Sequence, residues 1–167
     1  NDVVVRPGAI EALVLRCVED PTIGLCGATQ QVRNADGALV RTIPGGVRYL
    51  PALALDVPVA GRQLRSGRRF RTTVERRINC VQGSAVFGPR RLLEEVGPPG
   101  TDRFLYFEEI EWATRARRAG FRVAWAPDAL IANQHSVTMA AITDPSDRQA
   151  TSGYLLARGA LLFTRRF

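Results

Sequence analysis

Short β-branched runs alternate with stretches of helical period along this chain, and that alternation limits its fold more than any other feature. Asp2-Val3-Val4-Val5 reads as a short buried strand whose beginning lies upstream of Asn1. Pro7 stands where proline is tolerated, in a first helical turn, and Ile10, Leu13, Val14, Cys17 and Val18 follow at helical spacing as far as Asp20-Pro21. Ile23 to Val32 is expected as a strand and Ala38 to Thr42 as its return, with Asn34-Ala35-Asp36-Gly37 carrying the Asp-Gly hairpin signal. A second strand block is expected from Arg77 to Phe87, then a short helix from Pro89 to near Gly97. A further helix from about Phe107 to Ala119 takes Gly120 as its C-cap. Phe121 to Trp125 and Ala129 to Asn133 read as two more strands, and residues 146–167 as a final amphipathic helix. The expected class is α/β, a mixed sheet with flanking helices, and 167 residues suffice for one domain with a real core.

Residues 44–77 lack clear periodicity, with Pro44, Gly45, Gly46, Pro51, Pro58, Gly61 and Gly67 as breakers, and read as a long basic loop region in which Leu50, Leu53, Leu55, Val57 and Val59 leave room for a short helix or strand. Arg62, Arg65, Arg68, Arg69, Arg71, Arg76 and Arg77 crowd its second half. The net charge of +7 suits nucleic acid, an anionic membrane surface or a phosphorylated ligand. A single-strand nucleic-acid binder interleaves aromatic residues with its basic ones, whereas Arg62 to Arg77 contains only Phe70, so no nucleic-acid partner is expected. Cys17, Cys26 and Cys80 match neither a zinc site nor a redox pair and read as reduced thiols of a cytosolic protein. No run approaches eighteen apolar residues, and the first residues lack the basic flank of a secretory leader.

The stretch Phe104-Leu105-Tyr106-Phe107-Glu108-Glu109-Ile110-Glu111-Trp112 places three carboxylates at a helix start behind an aromatic approach. The helix dipole favours their ionised forms while mutual repulsion opposes charging all three, so one is left poised as a general base. The plainer alternative is that acids in a first turn merely support the helix, with Glu111 pairing to Arg115 one turn on.

This segment resembles the signature of family-two, rhamnosyltransferase-like glycosyltransferases of the GT-A fold. So do the features around it: Arg117-Arg118-Ala119-Gly120-Phe121-Arg122-Val123, then Ala126-Pro127-Asp128-Ala129, then His135. Val81-Gln82-Gly83-Ser84-Ala85-Val86-Phe87 with Arg90 and Glu94-Glu95-Val96-Gly97 is similar to the family's acceptor-side strand and helix. Asn1-Asp2-Val3-Val4-Val5 with Pro7-Gly8-Ala9 is similar to the end of its metal motif and the next helix, and Tyr154-Leu155-Leu156-Ala157-Arg158 with Phe163 to its terminal helix. The resemblance implies that the chain is the C-terminal, acceptor-side part of a GT-A fold, running over residues 1–167 from the close of a DxD-like motif.

It also implies roles. Glu109 takes the place of the presumed base, where many relatives carry Asp, and Glu108 orients the acceptor or the base. Asp2 and His135 complete a site for Mg2+ or Mn2+, although a lone histidine on a strand equally suits plain packing. Trp112 offers an acceptor platform or fills the core, and Gly83 admits the acceptor to the backbone or marks a bulge. The implied activity is inverting transfer from a nucleotide-diphospho-sugar to a saccharide or lipid-linked acceptor, in cell-surface polysaccharide or glycolipid synthesis. The protein is then cytoplasmic or peripheral to the membrane, and surface bared by the missing half favours a homodimer. The rivals are a basic nucleic-acid-binding module and an interaction domain that kept the fold without its chemistry.

Overall fold

A computed structural model describes residues 3–34, 36–53, 55–59, 68–102, 105–134 and 144–167. Its larger sheet is built on two long strands, β2 (Ile23–Arg33) and β8 (Arg122–Gln134), which run parallel through their whole shared length. β1 (Val3–Val5) pairs antiparallel with the far edge of β8, and β3 (Leu39–Ile43) returns antiparallel along the second half of β2. The first half of that same β2 edge is taken by β7 (Val86–Phe87), at Cys26 and Gly27. A smaller sheet has the order β5 (Leu55–Pro58), β4 (Gly46–Leu50), β6 (Cys80–Val81). Five helices accompany these strands among the described residues: α1 (Ala9–Glu19), α2 (Arg68–Glu75), α3 (Arg90–Val96), α4 (Glu108–Arg118) and α5 (Pro145–Arg166). None of them is long and apolar enough to cross a membrane.

The first halves of the two long strands, residues 23–28 and 123–126, are apolar on both faces, as a strand covered on both sides must be. Successive side chains point to opposite faces. Ala124 and Ala126 accordingly join Ala9 and Leu13 of α1 in one core, while Val123 and Trp125 join Ile110, Trp112, Ala113 and Ala116 of α4 in the other. The small alanines on the α1 side let that helix approach closely; the indole of Trp125 fills the wider α4 side.

A Schellman turn sets how α4 hands over to β8. Gly120, at φ 91°, lets its N–H reach Arg117 O while Phe121 N–H donates to Ala116 O. The sequence Ala119-Gly120-Phe121 meets both needs, a residue free to adopt positive φ and an apolar residue after it.

Several expectations are corrected. The Val3–Val5 strand lies at a sheet edge, not buried: Val4 and Val5 are 56% and 52% exposed. Only one side of the apolar stripe of α1 faces the sheet, through Ala9 and Leu13, while Ile10, Val14 and Val18 are exposed. The expected strands 121–125 and 129–133 are one strand. Its Pro127-Asp128-Ala129 segment bulges out between the pairs Ala28↔Ala126 and Thr29↔Leu130, held by the Thr29 hydroxyl donating to Pro127 O at 2.9 Å. The block expected over 77–87 contains two two-residue strands joined by a turn.

The loop region expected over 44–77 holds β4, a 3₁₀ turn at Pro51–Leu53 and β5 where a short helix or strand was left open, and α2, which was not expected, lies inside its basic half. What docks α2 is a charge. Glu75 at its end is buried and accepts a bidentate pair from the equally buried Arg16 of α1, at 2.8 and 2.9 Å. Arg71, one of the clustered arginines, pairs with Glu19 at 3.2 Å, and its side chain is only 21% exposed. The three cysteines are free thiols. Cys17 and Cys26 share a hydrogen bond that holds the Cys17 thiol below its usual value and, with burial, pushes that of Cys26 up.

Candidate active site

Two consecutive aromatic residues in the left-handed region introduce the acidic helix tip: Tyr106 at φ 68° and Phe107 at φ 70°. Left-handed backbone costs a non-glycine residue on the order of 1–3 kcal/mol, and such strain persists only where the surroundings impose it. Here they do. Phe107 is 5% exposed, meets Tyr49 edge-on at 5.5 Å between ring centroids, and lies 6.1 Å from Phe163 of α5. Burying a phenylalanine contributes roughly 1.5–3 kcal/mol, enough to offset its own strain. The aromatic approach is therefore the anchor that fixes the direction in which Glu108 and Glu109 leave the core.

The three carboxylates then separate by role. Glu111 is fully buried and held by two guanidinium groups, Arg115 at 2.7 Å and Arg166 of α5 at 3.2 Å. Its charge is neutralised locally, so the helix-supporting alternative describes it. Arg115 also donates to Pro98 O at 2.6 Å and to Val96 O, and the indole of Trp112 donates to Gly97 O at 2.9 Å. These bonds staple the loop after α3 to the side of α4. Trp112 itself is 8% exposed. A stacking platform needs an open ring face, so Trp112 is a core residue and its role as acceptor platform is withdrawn.

Glu108 and Glu109 remain, both partly exposed at the tip. Oε2 of Glu108 is buried and makes no hydrogen bond among the described residues. A buried polar atom of this kind normally has a partner. The Glu109 carboxylate lies directly over Gly83: a Cβ placed on that glycine would stand 3.2 Å from the carboxyl carbon and 3.3 and 3.4 Å from its oxygens. Gly83 in turn follows Gln82, whose N–H donates to Gly45 O at 3.0 Å, and Gly45 packs on the backbone of Gly27 and Ala28. The carboxylate thus sits beside the place where the edge of β2 changes partner from β7 to β3.

Gly83 supplies a direct test. Its φ lies outside the left-handed region, so alanine is allowed by the backbone and only the close approach is disturbed. The Glu109 carboxylate would have to give by a few tenths of an ångström. A 1 Å misplacement costs about a hundredfold in rate, so Gly83→Ala is expected to lower turnover by roughly three- to tenfold, with the melting temperature within 2–3 °C of the parent, about the shift that 1 kcal/mol produces. Unchanged kcat would remove Gly83 from the site.

Asp2 and His135 lie outside the described residues. The described segments that lead to them run side by side, with Val3 paired to Asn133. Among the described residues no group of three His, Cys, Asp or Glu side chains stands ready for a metal ion. Two participants carried no sequence signal, the left-handed turn at 106–107 and Gly159. A Cβ on Gly159 would be 2.7 Å from the Phe107 ring, so its absence lets α5 close over the aromatic anchor.

Comparison with known proteins agrees with this architecture. Residues 1–152 match the family described as glycosyltransferase like family 2. No curated protein matches the chain.

Proposed function

The chain belongs to glycosyltransferase-like family 2, and from that premise we propose that it is an inverting transferase. It moves a sugar from a nucleotide-diphospho-sugar to an acceptor hydroxyl. The observation that carries this reading is the Glu109 carboxylate resting on the bare backbone of Gly83 at an imposed, strained helix tip. A base needs a fixed position and room for the group it deprotonates. Glu109 takes the hydroxyl proton as the acceptor oxygen forms its bond to the anomeric carbon. The bond from that carbon to the diphosphate breaks on the opposite face, and the configuration inverts. Glu108, beside it at the same tip, orients the acceptor or the base.

A divalent ion, Mg2+ or Mn2+, held at Asp2 and His135, would neutralise charge on the departing diphosphate. Oxygen from a carboxylate and nitrogen from an imidazole are donors such an ion accepts. The charge of +7 suits an acceptor carried at an anionic membrane surface on the cytoplasmic side, as in cell-surface polysaccharide or glycolipid synthesis.

The parent protein, given a set of nucleotide-diphospho-sugars and saccharide or lipid-linked acceptors, is expected to release nucleoside diphosphate only when an acceptor is present. The glycoside formed should show, by proton NMR, the anomeric configuration opposite to that of the donor. Retained configuration would rule out the single displacement. Chelation of divalent ions should abolish release, and full activity in a chelator would rule out the ion.

A further inference from the structure

Away from the acidic tip, a cavity of about 370 Å³ opens between the C-terminal half of α4, β4 and the end of α5. Its volume lies within the roughly 300–1,000 Å³ that small-molecule sites occupy. Arg117 on its rim stands at the far end of α4 from Glu108, about 14 Å away at 1.5 Å per residue. The cavity is therefore separate from the candidate active site.

Its walls are rings and an aliphatic side chain: Tyr49, Ile110, Phe163 and Phe167. The rings hold one another, Tyr49 meeting Phe163 edge-on at 5.4 Å and Phe163 tilting against Phe167 at 5.0 Å between centroids. The polar groups in the walls are already engaged. Asn79 uses both ends of its amide on the Tyr49 backbone, at 2.7 and 2.8 Å. The hydroxyls of Thr114 and Thr164 donate to Ile110 O and Ala160 O of their own helices, at 2.8 and 2.9 Å.

The rim carries charge of one sign. Arg117 and Arg118 line it and are exposed, and no Asp or Glu stands beside them among the described residues that line the cavity. Arg118 is occupied, with its guanidinium 4.6 Å over the Phe167 ring and Nη2 donating to Phe167 O at 3.4 Å. The Arg117 side chain makes no hydrogen bond or ion pair among the described residues. A guanidinium fork meets a carboxylate through two parallel bonds. An apolar space closed by one such fork is complementary to a hydrocarbon chain with a single carboxylate at its end.

We infer that this cavity binds a medium-chain carboxylate, with its alkyl chain among Tyr49, Ile110, Phe163 and Phe167 and its head on Arg117. Phe163 and Phe167 lie beyond residues 1–152, the stretch that matches the family. Binding here does not depend on sugar transfer, so its test needs no turnover.

The full chain is titrated calorimetrically with octanoate, octanol and octyltrimethylammonium. Octanoate should bind at one site per chain, octanol at least tenfold more weakly, and the cation more weakly still. From butanoate to octanoate the affinity should rise roughly fourfold for each methylene that enters the cavity. Arg117→Gln should weaken octanoate at least fivefold and leave octanol unchanged. Arg117 is exposed, so this variant should melt with the parent. Arg48→Gln removes the same charge from the opposite face of β4 to Tyr49 and should leave octanoate binding as it was. Absence of saturable octanoate binding, octanol binding as tightly as octanoate, or equal effects of the Arg117 and Arg48 substitutions would each overturn the proposal.

Discussion

Glu109→Gln is expected to lower turnover by about 10²–10⁴-fold, the range a positioned general base contributes. Glutamine has the same shape, so it can keep its place over Gly83, and what disappears is the capacity to accept a proton. Donor binding should persist, because the donor does not depend on that proton transfer, and KM for the donor is the readout. Melting temperature should hold as well, since Glu109 is partly exposed at a helix tip and surface substitutions usually stay within about 0.5 kcal/mol. Glu111→Gln should behave in the opposite way. It removes a fully buried charge shared by Arg115 and Arg166, so stability falls first and activity follows it. The contrast separates a chemical carboxylate from a structural one two residues away. A Glu109→Gln protein turning over near the parent rate would end the assignment of the base.

Local rules made part of this fold legible. The Asn34 to Gly37 turn closes as its residues require: Asn34 Oδ1 accepts from Ala38 N–H at 2.7 Å, and Gly37 adopts φ 80°. The helices at 9–19 and 108–118 follow their apolar spacing, and Gly120 stops the second of them. Segments set by distant partners were hidden. β4 and β5 are five and four residues long, too short to show a period between Pro44 and Pro58. α2 is strongly basic, and its place is decided by Glu75 meeting Arg16 across 59 residues of chain. Residues 121–125 and 129–133 read as two strands, yet the Thr29 hydroxyl holds the bulge at Pro127 and pairing resumes beyond it. The site shows the same division. The acidic run was visible at once, but how its three acids divide between the tip and the core was not. Glu111 is silenced by Arg166, which lies on a different helix. Trp112 reads as platform or core on its own residues alone, and only its bond to Gly97 O and its burial decide for the core.

The largest loss of stability should come from Glu75→Gln, far from the acidic tip. Glu75 Oε1 accepts from Arg16 at 2.9 Å and also from the backbone N–H of Trp125 at 3.1 Å, so one carboxylate ties α1, α2 and β8 together. Its side chain is 4% exposed and that of Arg16 7%. Removing one member of such a pair leaves the other charge buried without compensation, which costs about 3–5 kcal/mol. For a domain of this size each kcal/mol moves the midpoint by roughly 2–4 °C, so thermal unfolding should fall by about 6–20 °C. Added salt should change this little, because buried pairs are weakly screened. Arg16→Met combined with Glu75→Leu should recover much of the loss, since the desolvation of both charges goes with them. Recovery should stop short of complete. The Trp125 N–H would remain buried without its acceptor, at a cost of about 1–3 kcal/mol. A Glu75→Gln midpoint within 3 °C of the parent would mean that the pair contributes no more than an exposed one. α2 would then have to be held by its apolar contacts, chiefly Val74, which is 2% exposed within the α4-side core.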